Sequence, residues 1–195
     1  MPTRINLSSP IGLADTLGPA FTRTVAADFI STGLLGPVYV SGRGDLVATA
    51  EVDRLAAAGA VDFAALAADP ITSRGIFVAR CGPPTLRGDG TRMGVDVSDS
   101  WPDRVQATAG RWQVGADTRR QLRDIIAEQD FAPMVVMVKS WPAWGFEITD
   151  VPTQRGAITL SVRPAGDWYD RHIADRWMPL GRGSTALLAD PSAFV

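Results

Sequence analysis

The chain has 195 residues, 46% of them hydrophobic and 21% charged, with a net charge of −2 and a single cysteine, Cys81. This is the balance of a folded globular protein with room for one large domain or two small ones, and it argues against wholesale disorder. One cysteine excludes an internal disulfide, no apolar run approaches the ~18 residues of a membrane-spanning helix, and the opening MPTRINLSSPIG lacks the apolar stretch of a secretory signal, so a soluble, cytoplasmic protein is expected.

The charge distribution bears on partners. Nucleic-acid binders generally carry a basic surplus that displaces counterions from phosphate, whereas the pI here is about 5.3. Residues 1–70 hold four arginines against seven acids, and the remainder is close to balanced. Any DNA contact must come from a local patch. Every basic residue except Lys139 is arginine; with the abundance of Ala, Gly and Val, this points to a high-GC genome, actinobacterial or of an actinobacterial phage.

In chain order, Ser8, Ser9 and Pro10 read as a helix start, with Ile11, Leu13, Ala14 and Leu17 as its apolar face and Gly18-Pro19 as its stop. A second helix is expected from Thr22 to about Ser31, with Val25, Phe29 and Ile30 inward and Gly33 ending it. Val38–Val40 and Leu46–Ala48 flank the turn Ser41-Gly42-Arg43-Gly44-Asp45 and predict a β-hairpin. Thr49 then caps a third helix carrying Val52 and Leu55, closed by Gly59. A brief helix at Phe63–Leu66, ended by Asp69-Pro70, sits in a linker spanning 61–75.

From Ile76 the pattern changes. Ile76–Ala79 predicts a strand, with Met93–Val97 returning as its partner. Asp117 caps an amphipathic helix reaching Asp130, with Leu122, Ile125 and Ile126 on one side and Arg119, Arg120 and Arg123 mostly on the other. Met134–Val138 reads as a continuous apolar strand, Trp141-Pro142-Ala143-Trp144 as a turn, Phe146–Thr149 and Ala157–Val162 as strands, and Arg176–Met178 as a last one. The fold class expected is therefore α+β. Residues 1–60 form a small helical module with a hairpin, and residues 76–195, which hold all six tryptophans, form a curled sheet or half-open barrel with one prominent helix.

The order helix, helix, hairpin, helix carries a resemblance. The stretch TRTVAADFISTGLLGPVYVSGRGDLVATAEVDRLAAA, from Thr22 to Ala58, resembles the winged-helix module of the MerR and phage-excisionase type. Gly33-Leu34-Leu35, Pro37, the hairpin and Glu51-Val52 stand where that family has its helix-ending step, its link, its wing and its returning helix. The resemblance implies a helix-turn-helix that meets double-stranded DNA through Thr22, Arg23, Thr24 and Ser31, with Arg43 at the wing tip on phosphate or in the minor groove. Arg23 is the only cation on that helix, a departure that leaves a degenerate module used for dimerisation or packing as the other reading. Farther along, Arg111-Trp112, Val135–Val138, Gly145–Ile148 and Asp175-Arg176-Trp177 resemble the strand order of PUA-like domains, which hold RNA or flipped bases.

Chemistry is poorly supplied. One Cys and one His exclude Cys/His zinc patterns. Asp96, Asp99 and Glu147 are the carboxylates that could hold a hard cation, although acids near loops are mostly solvated or capping. His172, between Asp170 and Asp175, is the one imidazole any triad would need, and no GxSxG motif accompanies it. Neither Ser41–Asp45 nor Gly181–Ser184 fits a phosphate-loop or dinucleotide fingerprint, so no cofactor is expected. Cys81 follows an apolar strand and is read as buried and inert. Trp141, Trp144, Trp168, Tyr169, Arg171 and Arg176 compose an aromatic-plus-arginine set suited to stacking bases and holding phosphate, or to a protein partner. Aromatics also dominate cores, and of these rings Trp141 and Trp144, set in the Pro turn, are the pair expected on the surface.

These readings converge on a non-enzymatic DNA-binding regulator, a transcriptional regulator or a repressor of a phage or mobile element. Its gross layout is similar to that of actinobacterial phage immunity repressors, with no motif matched. A protein-interaction, self-associating or assembly module is the alternative, and a nucleic-acid-processing enzyme the third reading.

Overall fold

The runs Ile76–Ala79 and Ala132–Val138 are apolar at every position, which a strand tolerates when both of its faces are covered. The computed structural model describes residues 7–8, 21–42, 44–154, 156–181 and 183–195 and places both runs at the centre of a five-stranded sheet. In chain order the strands are β1 (Leu7–Ser8), β2 (Val38–Ser41), β3 (Gly44–Ala48), β4 (Ile76–Cys81), β5 (Thr85–Leu86), β6 (Arg92–Met93), β7 (Ala132–Val138), β8 (Trp141–Asp150), β9 (Ser161–Pro164) and β10 (Ala186–Ala189). The helices are α1 (Arg23–Ser31), α2 (Thr49–Ala57), α3 (Phe63–Ala68), α4 (Trp101–Thr108), α5 (Ala116–Gln129) and α6 (Asp167–His172), with a 3-10 turn at Pro191–Phe194. The class is mixed α+β.

The large sheet runs β10-β4-β7-β8-β9, antiparallel except for the β4–β7 pair. A parallel pair needs a long crossover, and the segment carrying β5, β6, α4 and α5 supplies it. Side chains alternate across the central strands. Phe77, Ala79, Met134, Val136 and Val138 join one apolar cluster, and Ile76, Val78, Val135 and Met137 join another on the opposite face. Leu66 of α3 and Trp168 of α6 belong to the second cluster. Leu122 and Ile125 of α5 belong to the first, as do Phe21, Phe29, Leu35 and Leu55 of the N-terminal segment. One continuous core therefore runs from residues 21–58 into the sheet.

Several local expectations match these elements. Thr22 caps α1 by accepting from the Val25 N–H, and Gly33 ends it at φ +76 with Leu34 N–H returning to the Phe29 carbonyl. The hairpin β2–β3 and the helix after it follow, although Ala48 rather than Thr49 stands at the cap of α2. Asp62 caps α3 within the expected linker, and α5 closes on Asp130 in a left-handed conformation at φ 70. Asp117, expected as the cap of α5, lies inside the first turn, where its charge suits the helix N-terminus, and Gly115 stands at the cap with no side chain to give. Ser8, expected to open a helix, instead lies in β1 beside Val47 of β3; the rest of that expected helix falls outside the described residues.

Others are corrected. β4 does not pair with Met93–Val97: β6 pairs with β5, and the neighbours of β4 are β7 and β10, both distant in sequence. Ala157–Val162 yields only the Trp112–Ile158 bridge before β9 starts at Ser161, and Arg176–Met178 yields a single bridge between Trp177 and Ala60, the last strand being β10. α4 and α6, short helices with only a turn or two of pattern, were not expected. Arg119 is buried on α5, its Nε donating to the Val114 carbonyl at 2.8 Å and its other nitrogens to the carbonyls of Gln154 and Gly156 in the loop after β8, and these three acceptors are what let the guanidinium be enclosed. Among the described residues no helix is long and apolar enough to cross a membrane.

Candidate functional site

α1 is amphipathic by construction. Ala26 and Phe29 are buried and Val25 and Ile30 half-buried, while Thr22, Arg23, Thr24, Ala27 and Ser31 are exposed. Residues four apart share a helix face, so Arg23, Ala27 and Ser31 form one outward stripe with Thr24 beside it. Asp28 lies at the flank and pairs with Lys139 at 2.7 Å. Thr32, in contrast, is fully buried and its carbonyl receives the Val97 N–H. Arg43 lies outside the described residues.

The inner face of α1 is held by rings. Phe29 stacks on Trp177 with centroids 6.1 Å apart, Phe21 meets both edge-on, and Trp141 meets Trp177 edge-on at 4.8 Å. The Trp177 Nε1–H donates to the Leu55 carbonyl at 3.0 Å. Arg54 of α2 closes the seam. It lies over the Trp141 ring at 5.4 Å and donates to Glu51, Asp175 and the Leu34 carbonyl. A cavity of about 360 Å³ lies along this seam, bordered by Gly33, Glu51, Arg54, Trp141 and Asp175. The charged groups there already face one another. The sequence hid Arg54's part because its acceptor Asp175 is far away in the chain.

The aromatic-plus-arginine set does not form an open surface. Trp141 and Trp144 are 2% and 6% exposed and Trp168 is 1% exposed. The expected Pro turn is strand: the true turn is Lys139-Ser140, and β8 begins at Trp141. In regular alternation residues 141 and 144 would face opposite ways. Val136 pairs with Trp144 and Met137 with Pro142, so Ala143 is the extra residue of a bulge that turns both rings to the same core. Pro142, which has no N–H to give, is tolerated at such a position. Trp168 is on the buried side of α6, its Nε1–H on Glu147. Tyr169 is half-buried, and burial, with the charges of Asp175 and Asp170, pushes its hydroxyl well above the ordinary range. Arg176, beyond the end of α6, donates to the carbonyls of Asp170 and Ala174, which holds it against the close of that helix.

Arg171 and His172 converge on Asp69. His172 Nε2 lies 3.0 Å and Arg171 Nη1 3.1 Å from Asp69 Oδ2, while Oδ1 accepts from the Ile71 N–H at 2.8 Å. This ties the end of α3 to α6. Burial pushes the Asp69 carboxyl up, but the Ile71 N–H, His172 and Arg171 together outweigh it and hold the group below the usual carboxylate range. A lowered folded value means stability that is complete above about pH 4 and is lost as pH falls through that lower value. Asp69→Asn is therefore expected to destabilise the protein by about 1–2 kcal/mol at pH 7, with the gap to wild type closing below pH 4. Urea midpoints across that range test it; a gap that stays constant into strong acid contradicts the assignment.

The carboxylates considered for a metal are separated. Asp96 and Asp99 both take Arg92, whereas Glu147 takes Arg163, the Gly166 N–H and Trp168. Among the described residues no group of three or more metal-ligating side chains gathers. Cys81 is half-buried at the end of β4, where burial pushes its thiol up to about 12, which leaves it protonated. Comparison with family models, with curated proteins and with solved structures gives no match.

Proposed function

We propose that this chain is a non-enzymatic DNA-binding regulatory protein, of the transcriptional-regulator or phage-repressor kind, in which residues 22–58 act as a winged helix. The observation that carries the reading is the two-sided character of α1: its inner face is fixed by Phe29 on Trp177, while Arg23, Thr24, Ala27 and Ser31 are left to solvent. A helix presented that way fits a major groove. The succession α1, hairpin, α2, with β1 adding a third strand to β2 and β3, supports it further. Thr22, Arg23, Thr24 and Ser31 are the contacts proposed from α1, and Arg43 the one from the wing.

Fluorescence anisotropy with mixed-sequence duplex DNA tests this. Each phosphate neutralised contributes a slope of about −0.9 in log K against log salt. With few cations on this face, we expect micromolar binding whose slope falls by about one unit in Arg23→Gln. Flat anisotropy at micromolar protein and low salt ends the reading. A second reading, a protein-interaction or self-associating module, draws on β2. It is an edge strand of its sheet, and Val40 on it is 86% exposed, a place where another chain can add a strand. Flat anisotropy together with a concentration-dependent mass in light scattering would favour that alternative.

A further inference from the structure

Where β4 ends, the chain leaves the sheet through Gly82-Pro83-Pro84, and a cleft of about 420 Å³ opens there. Arg80, Arg87 and Arg111 line it together with Gly94, Trp112 and Gln113, and among the described residues no acidic one does. The place has a topological cause. β4 is parallel to β7, and crevices form outside the carboxyl ends of parallel strands, where the connecting loops part.

The cations are presented from fixed backbone. Arg80 Nη2 donates to the Gly181 carbonyl at 2.6 Å and to that of Leu180 at 3.3 Å, which anchors the guanidinium and leaves its other N–H groups uncommitted among the described residues. Arg87 is exposed, and its side chain makes no hydrogen bond or ion pair among the described residues. Arg111 stands in the left-handed region at φ 61, locked by the paired bonds between Trp112 and Ile158, and its guanidinium meets Asp89 at one side. Gly94, at φ +108, lets the cleft floor close: a Cβ there would collide with the Pro83 carbonyl.

From this geometry we infer that the cleft binds a phosphate-bearing ligand. Guanidinium forks match phosphate oxygens two at a time, and the cavity is of the size, roughly 300–1,000 Å³, that small ligands occupy. In a chain of net charge −2, three arginines meet at this cleft and the acid beside them, Asp89, offsets only Arg111, which leaves an excess of positive charge at one point. The same chemistry is offered by a free nucleotide and by a nucleic-acid backbone. This site is independent of α1 and does not rest on the reading above.

Isothermal titration of the full chain with inorganic pyrophosphate at low salt tests the inference. One saturable site is expected, weakened about tenfold or more in Arg87→Gln and in Arg111→Gln, and unchanged in Arg23→Gln. Arg87→Gln touches no internal contact, so its melting temperature should stay at the wild-type value, and a loss of binding there cannot be a loss of fold. Displacement of pyrophosphate by ATP but not by duplex assigns the site to free nucleotides; displacement by duplex assigns it to nucleic-acid backbone. Absence of saturation at millimolar pyrophosphate, unchanged affinity in both cleft variants, or equal affinity for chloride overturns the proposal.

Discussion

Trp177→Ala is expected to destabilise the protein by about 3 kcal/mol, the lower end of the range for removing a tryptophan from a packed site. The ring is half-buried, yet it is where the N-terminal segment and the sheet meet. It stacks on Phe29, touches Phe21 and Trp141 edge-on, and gives its Nε1–H to Leu55. The backbone contributes too, since Trp177 N–H donates to the Gly59 carbonyl and its own carbonyl accepts from Val61. Alanine leaves the backbone bonds and removes the ring. For a chain of this length about 3 kcal/mol corresponds to a fall in melting temperature of roughly 6–12 °C. Trp177→Phe should recover the stacking and leave a deficit of about 1 kcal/mol for the lost hydrogen bond. Urea denaturation followed by circular dichroism measures both.

The shape of that transition carries further information. Because Phe21, Phe29, Leu35 and Leu55 share one apolar cluster with Phe77, Met134 and Phe146, a single cooperative unfolding step is expected for the wild type. Trp177→Ala should loosen residues 21–58 first, seen as early proteolytic cleavage there. If the proposed DNA contact lies on α1, the same variant weakens binding without touching the contact residues, since it frees the helix that presents them. A deficit below about 1 kcal/mol would mean that Phe21, Phe29 and Trp141 close over the gap.

Local signals were readable wherever the sequence pattern alone decides. The cap at Thr22 and the stop at Gly33 depend on neighbours within a few residues and stand where their chemistry puts them. The hairpin forms as well, although Ser41, Gly44 and Asp45 of its expected turn belong to the paired strands. The apolar runs of β4 and β7 were readable as strands for the same reason. Their pairing was not, because a strand buried on both faces carries no mark of which strand lies beside it. The partner of β4 on its other side, the Ala-Leu-Leu-Ala of β10, has neither β-branched residues nor alternation to announce it. The tryptophans were misread through one residue: nothing local in Trp-Pro-Ala-Trp distinguishes a turn from a bulged strand, and the bulge at Ala143 decides which way both rings face. Arg80, Arg87 and Arg111 lie apart in sequence and meet only because the crossover brings them to one end of the sheet.

Glu147→Ala is the second large effect expected, again about 3 kcal/mol. The carboxylate is buried on the β8 face opposite to Phe146 and Ile148, and Arg163 sits directly across from it on β9. Arg163 Nε donates at 2.6 Å, the Gly166 N–H at 3.0 Å and the Trp168 Nε1–H at 3.2 Å. Losing the acceptor affects these donors unequally. Arg163 is about half exposed and can turn to water, so its share is small. Gly166 is exposed, so its N–H can also turn to water. Trp168 is enclosed, and its indole N–H loses a partner that water does not replace, at about 1–3 kcal/mol, to which the cavity left by the removed side-chain atoms adds. Glu147→Gln keeps one oxygen for Gly166 and Trp168 while turning an NH₂ toward Arg163, and about 1–2 kcal/mol is expected. A double-mutant cycle of Glu147→Gln with Trp168→Phe separates the indole bond from the ion pair. If Glu147→Ala lowers the urea midpoint no more than a surface change of about 0.5 kcal/mol would, then α6 is held to the sheet by its apolar face alone and the carboxylate is incidental to it.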